Sequence, residues 1–352
     1  MEFGVQFFPS VGPETISATQ YFGDCLKLCD LMDEYGYTHA RTVEHYFLPY
    51  GGYSPSPMVF LAAASQRTQN ARMVTGAVLP IFNNPLKIAG EAGMLDAISG
   101  GRLDLGMARA FLPHEFEKFG VSLDESVARF DEGSDQVRRL LEEENVTYEG
   151  KFHSFRNVTS LPRPTQNPRP PIWTATTSTP ESFAKAARKG DSIMAIPLVR
   201  TRMKELLEIY RDAWRQAGHP GAGRVMLAFH MLCHEDGKLA ADIARDPINL
   251  YLKAIVDAAS GWKSGASTKN YPNYDKMISQ LEKETFETQT ESGAAWVGEP
   301  QKLIDQITEY NEEVGGFEIA SMQVNFGTVP FKSAERSMRL FGEEVIPHFA
   351  TE

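Results

Sequence analysis

The segment GEAGMLDAISGGRLDLGMAR, residues 90–109, indicates the fold of the chain. Its first half predicts a helix that ends at Gly100-Gly101, and its second half, 102–107, predicts a short apolar strand. A helix that enters a strand through a glycine turn is half of a βαβ unit. Arg109 follows the strand directly, at the end where parallel α/β folds carry their functional groups. The segment therefore predicts a parallel α/β fold with a site near Arg109.

Seven further apolar segments predict strands, and predicted helices alternate with them. The eight expected strands are 3–8, 39–43, 73–79, 102–107, 172–175, 192–197, 225–233 and 319–326. Residues 148–153 predict a small hairpin outside the barrel wall. Because no linker divides the 352 residues, the pattern predicts a single (β/α)8 TIM barrel domain over residues 1–352. A doubly wound open sheet is the alternative, but no turn after the first strand matches the dinucleotide fingerprint.

Residues 260–290 interrupt this alternation before the last strand. The segment begins with glycine, serine, asparagine and lysine and continues as a mostly charged helix, without apolar periodicity. Long irregular segments in barrels with short loops often close over active sites. We therefore expect an inserted lid that is mobile, and poorly packed without ligands.

Charge and composition exclude several classes of partner. The net charge of −11 argues against nucleic acid, because phosphate backbones need a basic surface. A small phosphorylated ligand would need a locally basic pocket. The absence of a signal-peptide pattern and of a long apolar run predicts a cytoplasmic chain without membrane contact.

The cysteines and the histidine pair do not predict a metal site. Cys25 and Cys29 lie four residues apart on a predicted helix, where core packing explains them. His230 and His234 have no third ligand at metal spacing. Together with Cys233, this low cysteine count fits a reducing compartment.

His45 is the candidate catalytic residue. It follows the predicted strand 39–43 as part of Glu44-His45-Tyr46-Phe47. An imidazole next to a carboxylate such as Glu44 is a common general acid/base arrangement near neutral pH. A histidine that only makes hydrogen bonds at the barrel rim is the structural alternative.

Arg109 and the segment after the fifth strand indicate an anion site. A guanidinium binds phosphate or carboxylate with a planar fork, although a surface ion pair is the structural alternative. Thr176, Thr177 and Thr179 precede Pro180, and such hydroxyl residues are typical of a helix N-terminus. A helix N-terminus offers unpaired backbone N–H groups to an anion. Together these residues predict a phosphate site, with a plain capped helix as the alternative.

Aromatic residues near the predicted strand ends are candidates for an apolar substrate pocket. Barrel core is the alternative for some of them. The six residues are Phe8, Tyr46, Phe47, Phe111, Trp173 and Phe229.

Eight segments spread over nearly the whole chain resemble the bacterial luciferase-like, flavin-dependent monooxygenases. They are MEFGVQFF at 1–8, GYTHARTVEHYF at 36–47, VTGAVLP at 74–80, MLDAISGGRLDLGMAR at 94–109, FGVSLDES at 119–126, VTYEGKFHSF at 146–155, PRPTQNPRPPIW at 162–173 and VGEPQKLIDQI at 297–307. The resemblance implies a (β/α)8 barrel with an insertion before the last strand, FMN as the cofactor, and a homodimer.

The resemblance also implies roles for single residues in catalysis and phosphate binding. His45 matches the family's active-site histidine, and Tyr46 stands where luciferase has a second histidine. Arg109 matches the arginine that binds the flavin phosphate. Thr176 and Thr177 match the polar pair on the phosphate side.

Two further positions match residues beside the flavin ring. Ala108 replaces the reactive cysteine of luciferase, so light emission from long aldehydes is not expected. Thr75 and Gly76 match a pair joined by a non-prolyl cis peptide that bulges toward the flavin, and a glycine there eases close approach of the backbone. A small residue in a crowded strand is the alternative.

The implied reaction uses reduced FMN, supplied by a separate flavin reductase. It reacts with oxygen to form a peroxyflavin, which oxygenates a small organic substrate while His45 moves a proton. Two alternatives remain on the same fold: a deazaflavin-dependent hydride-transfer oxidoreductase and a non-catalytic flavin-binding relative.

Overall fold

A closed barrel of eight parallel strands forms the centre of the computed structural model, which describes residues 1–266 and 268–350. In chain order the strands are β1 (Glu2–Phe7), β2 (His39–Thr42), β3 (Arg72–Thr75), β4 (Leu103–Met107), β5 (Val146–Glu149), β6 (Ser154–Val158), β7 (Ile172–Ala175), β8 (Ser192–Ala195), β9 (Val225–Cys233), β10 (Ala295–Gly298) and β11 (Ile319–Gln323). Around the barrel the order is β1-β2-β3-β4-β7-β8-β9-β11, and β11 closes it by pairing with β1. The predicted (β/α)8 barrel is confirmed.

Helices surround this barrel and cover its outer face. They are α1 (Ala18–Cys29), α2 (Pro57–Ser65), α3 (Pro85–Ile98), α4 (Pro113–Phe119), α5 (Ser126–Glu142), α6 (Pro180–Arg188), α7 (Arg200–Gln216), α8 (Gly237–Ala259), α9 (Tyr274–Leu281), α10 (Phe286–Glu291), α11 (Pro300–Glu313) and α12 (Phe331–Glu344). Because both faces of the strands are covered, β9 is buried at every residue. Within the described residues, no helix is both long and apolar enough to cross a bilayer.

The segment 90–109 folds as its sequence indicates. Helix α3 begins after Asn84, whose side chain accepts a hydrogen bond from the N–H of Leu86. It ends before Gly100 and Gly101, which have positive φ angles of 69° and 81°. The guanidinium of Arg102 then fixes the start of β4 by donating to backbone carbonyl oxygens. These acceptors belong to Ser65, Thr68, Ala71 and Ser99.

Strand β10 was not expected from the sequence. Its four residues pair in parallel with the second half of β9, from His230 with Ala295 to Cys233 with Gly298. The first half of β9 pairs on the same edge with β8. A four-residue strand between two helices gives little periodic signal, and the unusual length of β9 is what accommodates it.

The predicted hairpin is present as β5 and β6, which pair in antiparallel fashion outside the barrel. Helix α5 holds it, because the carboxylate of Glu132 accepts hydrogen bonds from the N–H groups of Lys151, Phe152 and His153. Cys25 and Cys29 are buried in the core, as their spacing predicts.

The inserted segment 260–290 contains α9 and the start of α10, and its residue 267 lies outside the described residues. Aromatic side chains anchor it: Trp262, Tyr271, Tyr274 and Phe286 are all buried. This packing differs from the loose packing expected of a segment without apolar periodicity. The reason is that a few large rings pack into the core without a periodic apolar face. Its movement as a lid stays a prediction.

Candidate active site

A cavity of about 430 Å³ opens at the carboxyl ends of the barrel strands. The chain after β2, β3, β4, β7 and β8 supplies its walls, and residues 269–274 cover one side. This is the end of a (β/α)8 barrel that carries functional groups. The predicted site residues that line the cavity are His45, Gly76, Ala108, Arg109, Phe111, Thr176, Thr177 and Thr179.

We call the part of the cavity lined by Arg41, Glu44, His45 and Gly76 its inner end, and the part lined by Arg109, Thr176, Thr177 and Thr179 its outer end. His45 lies where the chain leaves β2. Its Nδ1 atom is 3.1 Å from Oε1 of Glu115, and the same oxygen accepts from the N–H of Tyr46 at 3.0 Å. Glu115 is fully buried, and this oxygen acts as an acceptor for both groups. It therefore holds a proton on Nδ1. Nε2 makes no hydrogen bond to any residue that the structure describes, so it can exchange a proton with a ligand.

Glu44, the predicted partner of His45, faces away from the imidazole. Consecutive residues of an extended chain point in opposite directions, so sequence neighbours rarely pair there. The carboxylate of Glu44 instead accepts three hydrogen bonds, from Tyr46 Oη at 2.6 Å, Asn83 Nδ2 at 2.7 Å and Leu79 N at 3.1 Å. Burial raises the pKa of Glu44 to about 7, although these donors act in the other direction.

The predicted backbone bulge after β3 is present, but one residue later than expected. The non-prolyl cis bond joins Gly76 to Ala77, so its prediction at Thr75-Gly76 was wrong. Thr75 still pairs with Thr42, and the N–H of Gly76 makes the last ladder bond to the carbonyl of Thr42 at 2.7 Å. The chain can leave the ladder only after that bond. Thr75 does not line the cavity, because its hydroxyl binds the backbone of Gly106.

The outer end of the cavity brings together the residues of the predicted anion site. Helix α6 begins directly after Thr179, so its N-terminus lies at the cavity wall. The buried hydroxyl of Thr176 has no hydrogen-bond partner among residues 1–266 and 268–350. The guanidinium of Arg109 lies 4.2 Å from the ring centroid of Tyr271, and it forms no salt bridge with a described residue. These groups keep donors available for an anion.

The charge around this outer end is locally basic, as a phosphate ligand requires in an acidic chain. Lys185, Lys189 and Lys269 line the cavity together with Arg109. Asp131 pairs with Lys185 at 2.5 Å and with Lys189 at 3.7 Å. Glu181 also lines the cavity but pairs with Arg188, so an excess of positive charge remains.

Of the six aromatic pocket candidates, Phe111 lines the cavity. Phe8 lies behind the imidazole of His45, with the ring centroids 5.9 Å apart. Phe47 is exposed and Tyr46 is half-buried, and both rings lie against Phe119. The hydroxyl of Tyr46 donates to Glu44, and neither ring lines the cavity.

Trp173 and Phe229 are core residues, which corrects their prediction as pocket residues. Trp173 is buried inside the barrel with Met194 and Met226, below the cavity. Phe229 stacks on Trp296 with a centroid distance of 3.9 Å, outside the barrel. A strand sends alternate side chains to opposite sides, and the sequence alone does not say which side faces the site.

Among the residues at the site that lacked a prediction from the sequence, four are important for the argument. Glu115 lies on the helix that follows β4, at the same rim as Arg109, so its position was a usable signal. Arg41 lines the inner end of the cavity from within β2. Tyr271 and Tyr274 cover the outer end, and they were the only strong apolar signal in residues 266–275.

Comparison with known proteins agrees with this geometry. A family model described as luciferase-like monooxygenase matches residues 1–316. The crystal structure of the monooxygenase RslO1 from Streptomyces bottropensis is 43% identical, with a TM-score of 0.88 over 99% of this chain and 100% of that chain. The oxygenase component of flavin-dependent trigonelline monooxygenase from Acinetobacter baylyi is 27% identical over 339 residues, 94% of this chain and 91% of that protein.

A further solved structure shows the same fold at lower identity. It is the FMN complex of the oxygenating constituent of 3,6-diketocamphane monooxygenase from Pseudomonas putida, a type II Baeyer-Villiger monooxygenase. It has a TM-score of 0.83 at 20% identity and covers 100% of this chain and 99% of that chain. The barrel, the cavity at its carboxyl end and the match over most of the chain define a class of oxidoreductases. The chain belongs to the luciferase-like monooxygenase family.

Proposed function

We propose that this chain is the oxygenase of a two-component, FMN-dependent monooxygenase that acts on a small organic substrate. The observation that carries the proposal is one continuous cavity. Arg109 and the N-terminus of α6 lie at its outer end, and the imidazole of His45 lies at its inner end. The relatives support this proposal, since the Acinetobacter baylyi protein is flavin-dependent and the Pseudomonas putida structure contains FMN.

The residues present fit FMN at both ends of the cavity. Arg109 and the unpartnered hydroxyl of Thr176 suit the phosphate, because both keep hydrogen-bonding capacity for an anion. Gly76, Ala77 and Ala108 present a wall without bulky side chains, which suits a flat ring. The cavity of about 430 Å³ also lies within the usual range of small-molecule sites.

The chain's own residues would position groups and move protons. When bound, reduced FMN supplies the electrons that activate oxygen, by way of the peroxyflavin that the family resemblance implies. Nε2 of His45 would give or take a proton as oxygen is transferred, and Glu115 keeps the imidazole oriented. Tyr274 and the ring of Tyr271 cover the outer end, where they exclude water.

The partners of the reaction follow from the same proposal. A separate reductase supplies the reduced FMN, as the name of the Acinetobacter baylyi oxygenase component implies for that protein. Apolar side chains next to His45, including Leu79, Ala110 and Phe111, suit a small substrate of low polarity.

The apolar outer face of α2 and α3 supports a homodimer. Val59 on α2 is 72% exposed and Met94 on α3 is 57% exposed, and Leu86 and Ile98 add to this surface. A helix that is apolar on both its inner and outer faces is normally covered. Sedimentation equilibrium of the purified chain tests this, and a monomer at micromolar concentration contradicts it.

Anaerobic titration with reduced FMN, followed by rapid mixing with oxygen, tests the function. We expect saturable binding, a transient absorbance from oxygenated flavin, and oxygen uptake coupled to product with a suitable substrate. Binding without turnover over a broad substrate screen would instead indicate a non-catalytic flavin-binding protein. Oxygen-independent turnover with a reduced deazaflavin would indicate the hydride-transfer alternative.

A further inference from the structure

Arg41 is a buried cation at the inner end of the cavity. It lies on β2, where it pairs with Gln6 of β1 and Val74 of β3. The side chain is 7% exposed and lines the cavity next to Gly76. Nη1 donates to Oε1 of Gln6 at 3.1 Å, and Nη2 donates to the carbonyl oxygen of Gly76 at 3.3 Å. Both acceptors are neutral.

The guanidinium of Arg41 keeps unused donors. A guanidinium has five N–H groups, and two are used here, so three remain without an acceptor in the described part of the chain. The buried Nε atom is one of them, since it has no partner among the described residues. In a buried site each unmade hydrogen bond to a charged group is costly.

No carboxylate of the described chain compensates this charge. Other partly buried arginines are paired: Arg72 at the start of β3 binds Asp104 at 2.6 Å, and Arg138 on α5 binds Asp191. The nearest titratable neighbours of Arg41 are Tyr50 and Tyr251, and burial raises the pKa of both phenols, so both are neutral. Burial lowers the pKa of Arg41 to about 10, which leaves it charged at neutral pH.

We infer that Arg41 binds a planar, delocalised oxyanion of a molecule held in the cavity. The inference rests on the proposed function, and it specifies the class of ligand that binds at the inner end of the cavity. A carboxylate, phenolate or enolate of the substrate has this chemistry, and so has the pyrimidine part of a reduced, anionic flavin. A planar fork of N–H donors matches such an anion in shape and charge.

Gly76 provides the space for this contact. A Cβ atom at position 76 would overlap the side chain of Arg41, so the glycine lets the guanidinium lie against the wall beside the cavity. The phosphate-type site is at the other end, around Arg109 and Thr176. Arg41 is therefore a second, separate cation, and it determines which substrates or flavin states the inner end accepts.

Binding of a matched pair of planar probes tests whether Arg41 binds an oxyanion of the substrate. Benzoate and benzamide have similar shape, and only benzoate carries a charge. We expect FMN-loaded protein to bind benzoate with a Kd at least about tenfold lower than that of benzamide, which is the effect of one charge-assisted hydrogen bond. Arg41→Gln removes this preference, and Arg41→Lys retains part of it because the charge remains without the fork.

The reduction potential of bound FMN tests whether Arg41 binds the reduced, anionic flavin. A cation beside the pyrimidine stabilises the reduced anion, so Arg41→Gln would lower the potential and Arg41→Lys would lower it less. If Arg41→Gln removes the preference for benzoate, the oxyanion that Arg41 binds belongs to the substrate. If Arg41→Gln lowers the reduction potential, that oxyanion belongs to the flavin. If Arg41→Gln folds, binds FMN and changes neither quantity, Arg41 only holds the Gly76 carbonyl and the inference is overturned. Failure of the wild-type chain to bind FMN would instead contradict the proposed function.

Discussion

The inner and outer ends of the cavity are built in opposite ways. At the inner end, His45 and Glu44 follow β2, and protein groups fix both side chains through hydrogen bonds of 2.6 to 3.1 Å. At the outer end, Arg109 and Thr176 also follow strands, but their side chains keep hydrogen-bonding groups without protein acceptors in the described structure. The inner end therefore holds its geometry before a ligand arrives, whereas the outer end takes its final geometry from the ligand.

This difference separates chemistry from binding. Catalytic groups work best when their orientation is fixed in advance, because reorganisation then adds nothing to the barrier. Cofactor contacts can form on binding, and a loosely held end also lets the flavin leave for reduction elsewhere. Changes at the inner end should therefore lower turnover, and changes at the outer end should lower flavin affinity.

The largest effect is expected for His45→Ala at the inner end. Turnover at saturating substrate should fall roughly 100-fold or more, the usual contribution of a general acid/base. FMN affinity should stay nearly unchanged, because the phosphate contacts lie at the other end. Oxygen uptake and fluorescence titration measure the two quantities. His219→Ala is a matched control, since that imidazole contacts Trp214 and the carbonyl of Arg188 and does not line the cavity. An unchanged rate would remove His45 from the mechanism.

Glu44 gives the inner end a pH-dependent stability. Its folded pKa of about 7 lies above the ordinary value of 4.5, so the native state binds this proton more tightly than the unfolded state. The stabilisation is complete below pH 4.5 and is lost as the pH rises through 7. The shift corresponds to on the order of 3 kcal/mol.

The glutamine side chain of Glu44→Gln cannot ionise, so this variant should not lose stability as the pH rises through 7. Urea unfolding between pH 4.5 and 8 should show the variant gaining stability relative to the wild type as the pH rises. Glu117→Gln, a change at an exposed carboxylate on the same helix as Glu115, should show no such trend. Parallel curves for Glu44→Gln and wild type would show that Glu44 is ionised throughout.

Arg109→Ala tests the outer end. FMN affinity should fall roughly 10- to 100-fold, because a charge-assisted contact to phosphate is lost. Riboflavin affinity should change little, since riboflavin has no phosphate. Arg336→Ala is the control, because Arg336 lies on α12 and pairs with Glu235, and neither residue lines the cavity. Equal losses for both ligands would mean that Arg109 supports Tyr271 and the inserted segment instead.

The smallest effect concerns the inserted segment 260–290. Limited proteolysis of the ligand-free protein should cut there first, and FMN together with substrate should slow that cleavage by a few fold, roughly as expected for a locally opening element. The contacts of Trp262 with Phe111 and of Tyr274 with Thr177 are those that must open. Protection by FMN alone, or an absence of cleavage, would contradict a substrate-gated lid.

Features that depend on local order along the chain were predictable from the sequence. The alternation of strands and helices predicts the barrel, and the carboxyl ends of the predicted strands indicate where the rim of the cavity lies. That rule alone selects His45, Arg109 and Thr176, because each follows a strand directly. The glycine turn at 100–101 also appears where the sequence indicates it.

Features that depend on distant contacts were not predictable in the same way. Glu115 is 70 residues from His45, and only the closed barrel brings them together. Phe229 and Trp173 are aromatic residues on predicted strands, but the direction of each side chain depends on the register of the sheet. The bulge at Gly76-Ala77 was misplaced by one residue because the last ladder bond to Thr42 decides where β3 ends.

A crystal structure of the FMN-bound protein tests the central claim most directly. The account predicts the phosphate within hydrogen-bond distance of Arg109 and of the segment 176–179, and the flavin ring against Gly76-Ala77 with His45 beside it. A phosphate bound away from Arg109, or a ring that does not approach Gly76, would contradict the assignment of the two ends of the cavity.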